Sequence, residues 1–178
     1  MSTAIIYYSH TRNNLMLAED LRRATGGTLI RIEETKKRTS STIFLDILFH
    51  RTPRIKEYLH LDGRFDHYIL VAPIWGGKIA SPLRSFIIKE ASKIRSYSFI
   101  SICGGGKDQR GDIEKELTGL VNQKPVAVAQ LSLTDLCKDH HADLVKYQID
   151  KDDLEYFSDQ INDFVTTVTR AVVPVVTV

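Results

Sequence analysis

Six consecutive residues, Ser9-His10-Thr11-Arg12-Asn13-Asn14, all carry side chains that donate hydrogen bonds. They follow the apolar run Ala4 to Tyr8 and precede Leu17, Ala18, Leu21 and Ala24 at helical spacing, with Gly26-Gly27 to stop the helix. Strand, polar turn and helix is the arrangement that aims free backbone N–H groups and a positive dipole end at an anion. The stretch therefore reads as a phosphate cradle. For the stretch taken alone, an ordinary helix cap stands beside that reading, although one capping residue would suffice.

Two further turns follow strand-like runs. Tyr68 to Ala72 leads into Pro73-Ile74-Trp75-Gly76-Gly77-Lys78, a loop of turn formers holding the only tryptophan. Phe99 to Cys103 leads into Gly104-Gly105-Gly106. In a parallel sheet the strands ending at Tyr8, Ala72 and Cys103 empty onto one carboxyl edge. A hydrogen-bonding turn, an aromatic turn and a glycine turn together suit a flat, phosphorylated ligand, because glycine lets backbone approach a planar ring. A loop tryptophan also serves to cover a core edge, and Cys103 also serves as a small buried hydrophobe. Cys137-Lys138-Asp139-His140-His141 lacks the second spaced pair of a metal site and reads as a solvated loop, so no metal is expected. No Gly-Lys-Ser/Thr follows the first strand, and no Gly-x-Gly-x-x-Gly is present, so neither nucleotide fingerprint applies.

The elements that must position these turns alternate along the chain. Thr28 to Glu33 is a second strand with a mixed face; Ser81-Pro82 opens a helix with Leu83, Phe86 and Ile87 inward. Ile113, Leu117, Leu120 and Val121 mark the next helix, Val126 to Leu133 a fifth strand, and Leu154 to Val168 one long closing helix. Glu34 to Asp66 is the least legible segment. Ile43 to Leu48 suggests an amphipathic helix there, and Ile55, Tyr58 and Leu59 a further helical turn closed by Asp62-Gly63. The expectation is an α/β fold, a doubly wound five-stranded parallel sheet in a single domain over residues 1–178. The apolar tail Val172 to Val178 would add an edge strand or pack on a partner.

Composition narrows the classes. An apolar fraction of 43% with 26% charged residues is that of an ordinary globular chain. No apolar run approaches the roughly 20 residues of a membrane span, and no secretory leader is visible. Two distant cysteines give no disulfide framework, which suits a reducing cytoplasm. A net charge of +2 does not argue for nucleic acid.

The three turns resemble those of the flavodoxins and flavodoxin-like FMN oxidoreductases. That family's first loop runs Ser/Thr-x-Thr-Gly-Asn-Thr, against Ser9 to Asn14 here; a subgroup carries Pro-Ile-Trp-x-Gly with Ala-x-Pro and Phe, against Pro73 to Gly77, Ala80-Ser81-Pro82 and Phe86. The resemblance implies strand order 2-1-3-4-5 and non-covalent FMN at the junction of the first and third strands. It puts the phosphate on Ser9, Thr11, Asn13, Asn14 and nearby backbone, with Pro73 to Lys78 and Cys103 to Gly106 flanking the ring. Two positions depart from the pattern. Arg12 stands where glycine is usual, so either the loop differs or arginine adopts a glycine conformation; its guanidinium would pair with phosphate or fill the pocket. Asn14 stands where Thr is usual.

The functional expectation is an FMN flavoprotein that passes electrons from reduced nicotinamide, NAD(P)H, to a quinone-like or other small acceptor. The cationic loop residues Arg12, Lys78, Lys107 and Arg110 favour an anionic substrate. A flavodoxin-type carrier serving a redox partner protein, and a non-catalytic interaction module, are the alternatives. The sequence singles out no catalytic residue.

Overall fold

A computed structural model of the chain describes residues 2–35, 52–59, 61, 65–136, 144 and 146–172. Five strands form one parallel sheet: β1 (Thr3–Tyr7), β2 (Thr28–Arg31), β3 (His67–Val71), β6 (Tyr97–Cys103) and β7 (Val128–Ser132). Between β3 and β6 lies a separate antiparallel pair, β4 (Ile74–Trp75) and β5 (Lys78–Ile79). The sheet order is β2-β1-β3-β6-β7, which is the expected 2-1-3-4-5 once that small pair is set aside. The order reverses at β1, so the β1 and β3 carboxyl ends form the switch point where α/β sheets take their ligands.

The strands are apolar on both faces because helices cover both. Ala4, Ile6 and Tyr8 pack in one cluster with Tyr68, Leu70, Ala72, Tyr97 and Phe99. That cluster is closed by helix α2 (Ser81–Glu90) through Leu83, Phe86 and Ile87, and by α3 (Arg110–Val121) through Ile113, Leu117 and Val121. Ile5, Tyr7, Ile69, Val71, Ile100 and Ile102 face the opposite way. Helix α1 (Asn13–Thr25) meets them with Leu17, Ala18 and Leu21, and α6 (Ser158–Val172) with Ile161, Phe164 and Val168. Period two in the strands and period 3.6 in the helices thus sort one sequence into two cores.

Several expectations change in detail. The closing helix is two pieces: α5 (Lys151–Tyr156), opened by a capping box between Asp150 and Asp153, and α6. The break falls at Phe157, whose N–H is shared between the Leu154 and Glu155 carbonyls and whose ring is completely buried. A four-residue helix α4 (Leu133–Leu136) follows β7 directly, so the strand ends at Ser132 rather than Leu133. Residues 52–59 hold no helical turn. Ile55 instead forms an antiparallel bridge with Glu34, and the Lys56 N–H donates to the Glu33 carbonyl at 2.8 Å. The helix expected at Ile43 to Leu48, the Cys137–His141 stretch, Asp62-Gly63 and the tail beyond Val172 lie outside the described residues.

His67, at the start of β3, is wholly buried between the Ser96 and Ser98 hydroxyls, at 2.8 and 3.1 Å. Burial disfavours the imidazolium and brings its pKa down to about 4. Among the described residues, no helix is long and apolar enough to cross a membrane.

Candidate functional site

The first turn is built by the chain leaving the sheet after Tyr8, whose N–H still donates to the Val71 carbonyl at 2.9 Å. Helix α1 begins at Asn13 with Arg12 as its N-cap, and no side chain caps it. The first N–H groups of a helix lack i−4 acceptors; here the Leu15 N–H turns to the Arg12 carbonyl at 2.9 Å, which leaves those of Asn13 and Asn14 available. Among the described residues, Ser9 Oγ is buried with no hydrogen-bond partner. Arg12 has φ 75°, the left-handed conformation that favours glycine. The turn therefore keeps a glycine's shape with an arginine in it, and the side chain is exposed rather than folded into the site.

Asn13 and Asn14 are buried, but their amides face protein backbone. Asn14 Nδ2 donates to the Ile102 carbonyl at 2.9 Å, and Asn14 Oδ1 accepts the Ile102 N–H at 3.0 Å. Asn13 Nδ2 donates to the Tyr147 carbonyl at 2.9 Å, and Asn13 Oδ1 accepts the Ile149 N–H at 3.2 Å. The two residues tie the first turn to the end of β6 and to the segment before α5.

The second turn is a hairpin rather than an irregular loop. Ile74 pairs with Ile79 and Trp75 with Lys78, joined by Gly76 and Gly77 at φ 54° and 77°. Two consecutive positive φ values make the two-residue turn whose twist fits a hairpin, and glycine meets that requirement without strain. The Trp75 ring stands edge-on to Tyr8 and to His10, with centroids 5.8 and 6.1 Å away. The hairpin and the first turn thus meet.

The third turn is held from β7. The Gln130 amide accepts the Gln109 N–H at 2.9 Å and donates to the Lys107 carbonyl at 2.9 Å. The Ser132 hydroxyl donates to the Gly105 carbonyl at 2.8 Å. At Gly106 a Cβ would fall 2.7 Å from Thr134 Oγ1, so close approach to α4 requires glycine there. Cys103 is buried, and burial raises its thiol pKa, which keeps it neutral. Among the described residues, no group of three metal-ligating side chains gathers here or elsewhere.

Between the three turns lies a cavity of about 440 Å³. His10, Thr11, Asn13 and Asn14 line it from the first turn, Pro73 to Gly77 from the hairpin, and Cys103 to Gly105 from the third. Ser9, Arg12, Lys78 and Gly106 are not in its lining. Ile102, Gln109, Leu133 and Leu144 complete it. On either side of Gln109 in the chain, Arg110 is bound to Asp108, and its guanidinium holds that carboxyl down to about 2. Arg12 and Lys107 are exposed and Lys78 is half-buried, with no ion pair to any of the three among the described residues.

No family model matches the chain, and no curated protein does. Solved structures do. A flavoprotein from Bacteroides eggerthii DSM 20697, described as putative, is 19% identical with a TM-score of 0.66, over 90% of this chain and 98% of that one. This chain has the flavodoxin-like fold. The flavoprotein of Lactobacillus acidophilus NCFM in complex with FMN shares it at 16% identity and TM-score 0.60, over 72% of this chain and 92% of that one. A WrbA-like flavodoxin from Agrobacterium tumefaciens does so at 11% and 0.53, over 97% and 98%.

Within the flavodoxin-like fold, the four additional lining residues carried little signal in sequence. Gln109 stands just before α3, with its amide beside Gly77 and Gly105, and a lone Gln among charged neighbours looks like a solvated loop. Leu133 and Leu144 look like core leucines, and only the tertiary fold turns them into a cavity wall. Ile102 was legible as strand and not as site.

Proposed function

We propose that the cavity binds FMN and that the protein is a flavin-dependent oxidoreductase. The observation that carries this is an uncapped α1 N-terminus whose Asn13 and Asn14 line the cavity, in a turn that also holds, just behind that lining, a buried Ser9 hydroxyl with no hydrogen-bond partner among the described residues. A phosphate there would accept from the free helix N–H groups. The volume of about 440 Å³ is within the range of ordinary cofactor pockets, roughly 300–1,000 Å³. The glycine turns leave room for a ring, and Ile102, Leu133 and Leu144 supply an apolar wall for it.

When bound, FMN would supply the electron-transfer chemistry. The chain's own residues bind, orient and shield. Asn13 and Asn14 act indirectly: their amides fix the segment at Tyr147 and Ile149 and the β6 end around the cradle, leaving backbone N–H groups to meet the phosphate. Trp75 covers one side of the cavity, held against His10. Cys103, being neutral, contributes bulk rather than a nucleophile.

The substrate reading rests on charge. With Arg110 paired to Asp108, Arg12, Lys78 and Lys107 are the cations of the three turns without an ion pair among the described residues. They favour an anionic electron donor such as NAD(P)H, with a quinone-like acceptor. Protein supplied with FMN should oxidise NAD(P)H with a quinone faster than free FMN at equal concentration, and added salt should lower kcat/KM. Turnover no faster than free FMN would instead assign the chain the work of an electron carrier.

A further inference from the structure

A hairpin with two residues in each strand does not hold itself in water, yet the only tryptophan of the chain rides on this one. Its second strand is gripped from outside. The Ile79 N–H, turned away from the hairpin, donates to Glu116 Oε2 at 3.0 Å. The other carboxylate oxygen, Oε1, accepts from Arg84 Nε at 2.8 Å and from Arg84 Nη2. Arg84 belongs to the opening turn of α2 and Glu116 to the middle of α3, and their side chains keep only 12% and 8% of their exposure. One carboxylate thus joins two helices to the backbone of the hairpin.

Stability is a poor reason for such a pair. Two charges taken out of water gain little over an apolar pair of the same volume, and often lose. What an apolar pair cannot do is accept the Ile79 N–H. We propose that Arg84 and Glu116 are positioning residues, which set the seat of the Trp75 hairpin at the cavity and, through it, the affinity of the site for its planar ligand. The affinity half rests on the flavin reading above. The seating half does not, because it concerns the hairpin alone. Arg84 orients Glu116, Glu116 holds Ile79, and Ile79 fixes the register of Lys78 and Trp75 across the turn.

The test compares two paired substitutions. Arg84→Met with Glu116→Leu removes both charges and the acceptor. Arg84→Met with Glu116→Gln removes both charges but keeps an acceptor for the Ile79 N–H. Three readouts are taken: the urea midpoint, acrylamide quenching of Trp75 emission without added flavin, and the FMN dissociation constant. Both pairs should unfold near the wild-type midpoint. Only the Leu pair should expose Trp75 to acrylamide and weaken FMN, roughly tenfold, and the Gln pair should restore both. A Trp75 as shielded in the Leu pair as in wild type overturns the proposal, as does a Gln pair that rescues nothing. If the Leu pair does not fold, Glu116→Gln against Glu116→Met makes the same comparison with Arg84 in place. Wild-type protein that fails to bind FMN overturns the flavin reading and the affinity half, while quenching without flavin still decides the seating.

Discussion

Arg12 shows what one residue contributes to the turn and what it costs. It holds φ 75° without glycine's freedom, and its exposed side chain has no partner among the described residues to offset the strain. Left-handed backbone costs an L-residue about 1–2 kcal/mol, and part of that is returned because glycine also loosens the unfolded chain. Arg12→Gly should therefore raise stability to urea by about 0.5–1 kcal/mol, without loosening the cradle. A destabilised variant would mean that the guanidinium makes a contact that matters. Asn14 illustrates the opposite case. Its type reads as a phosphate donor in sequence, whereas both ends of its amide are committed to the Ile102 backbone. A sequence gives the donor's identity but not its direction, which is why the cradle residues were legible and their individual duties were not.

Among the elements, the Gly76-Gly77 hairpin is the part most exposed to a single change. The second turn position of this hairpin type needs glycine most, while the first tolerates asparagine. A Cβ at Gly77 would meet only Gln109 Oε1, at an ordinary 3.6 Å, so the cost there is backbone strain and not a clash. Gly77→Ala should lower stability by about 1 kcal/mol and shift Trp75 emission to the red, whereas Gly76→Asn should do neither. Equal effects from the two would refute the turn assignment. The strands were legible because parallel strands buried on both faces read as unbroken apolar runs, as in Ala4 to Tyr8 and Tyr68 to Ala72. The hairpin was not, since two-residue strands show no periodicity. The break at Phe157 was hidden too, because apolar spacing continues through it into α6.

For the whole molecule, the clearest pH signature comes from His67, far from the cavity. Its folded pKa of about 4 lies below the ordinary 6.5, so between these values the unfolded chain binds more protons than the folded one. Stability should be unaffected by this group above pH 6.5, fall as the pH drops from 6.5 to 4, and level off below, for a total of about 3 kcal/mol. Unfolding free energies of wild type and His67→Gln across that window should converge toward acid pH if the account is right, and run parallel if His67 is not neutral in the fold. The sheet that buries His67 also brings three distant turns to one edge, and the functional account stands on that convergence. Its most direct test is a titration of the purified protein with FMN, following flavin fluorescence and Trp75 emission together, with riboflavin in parallel. The account predicts saturable quenching of both signals at one FMN per chain, with riboflavin binding more weakly for want of the phosphate. Flavin fluorescence that stays at the level of free FMN, with Trp75 emission unchanged, would contradict it.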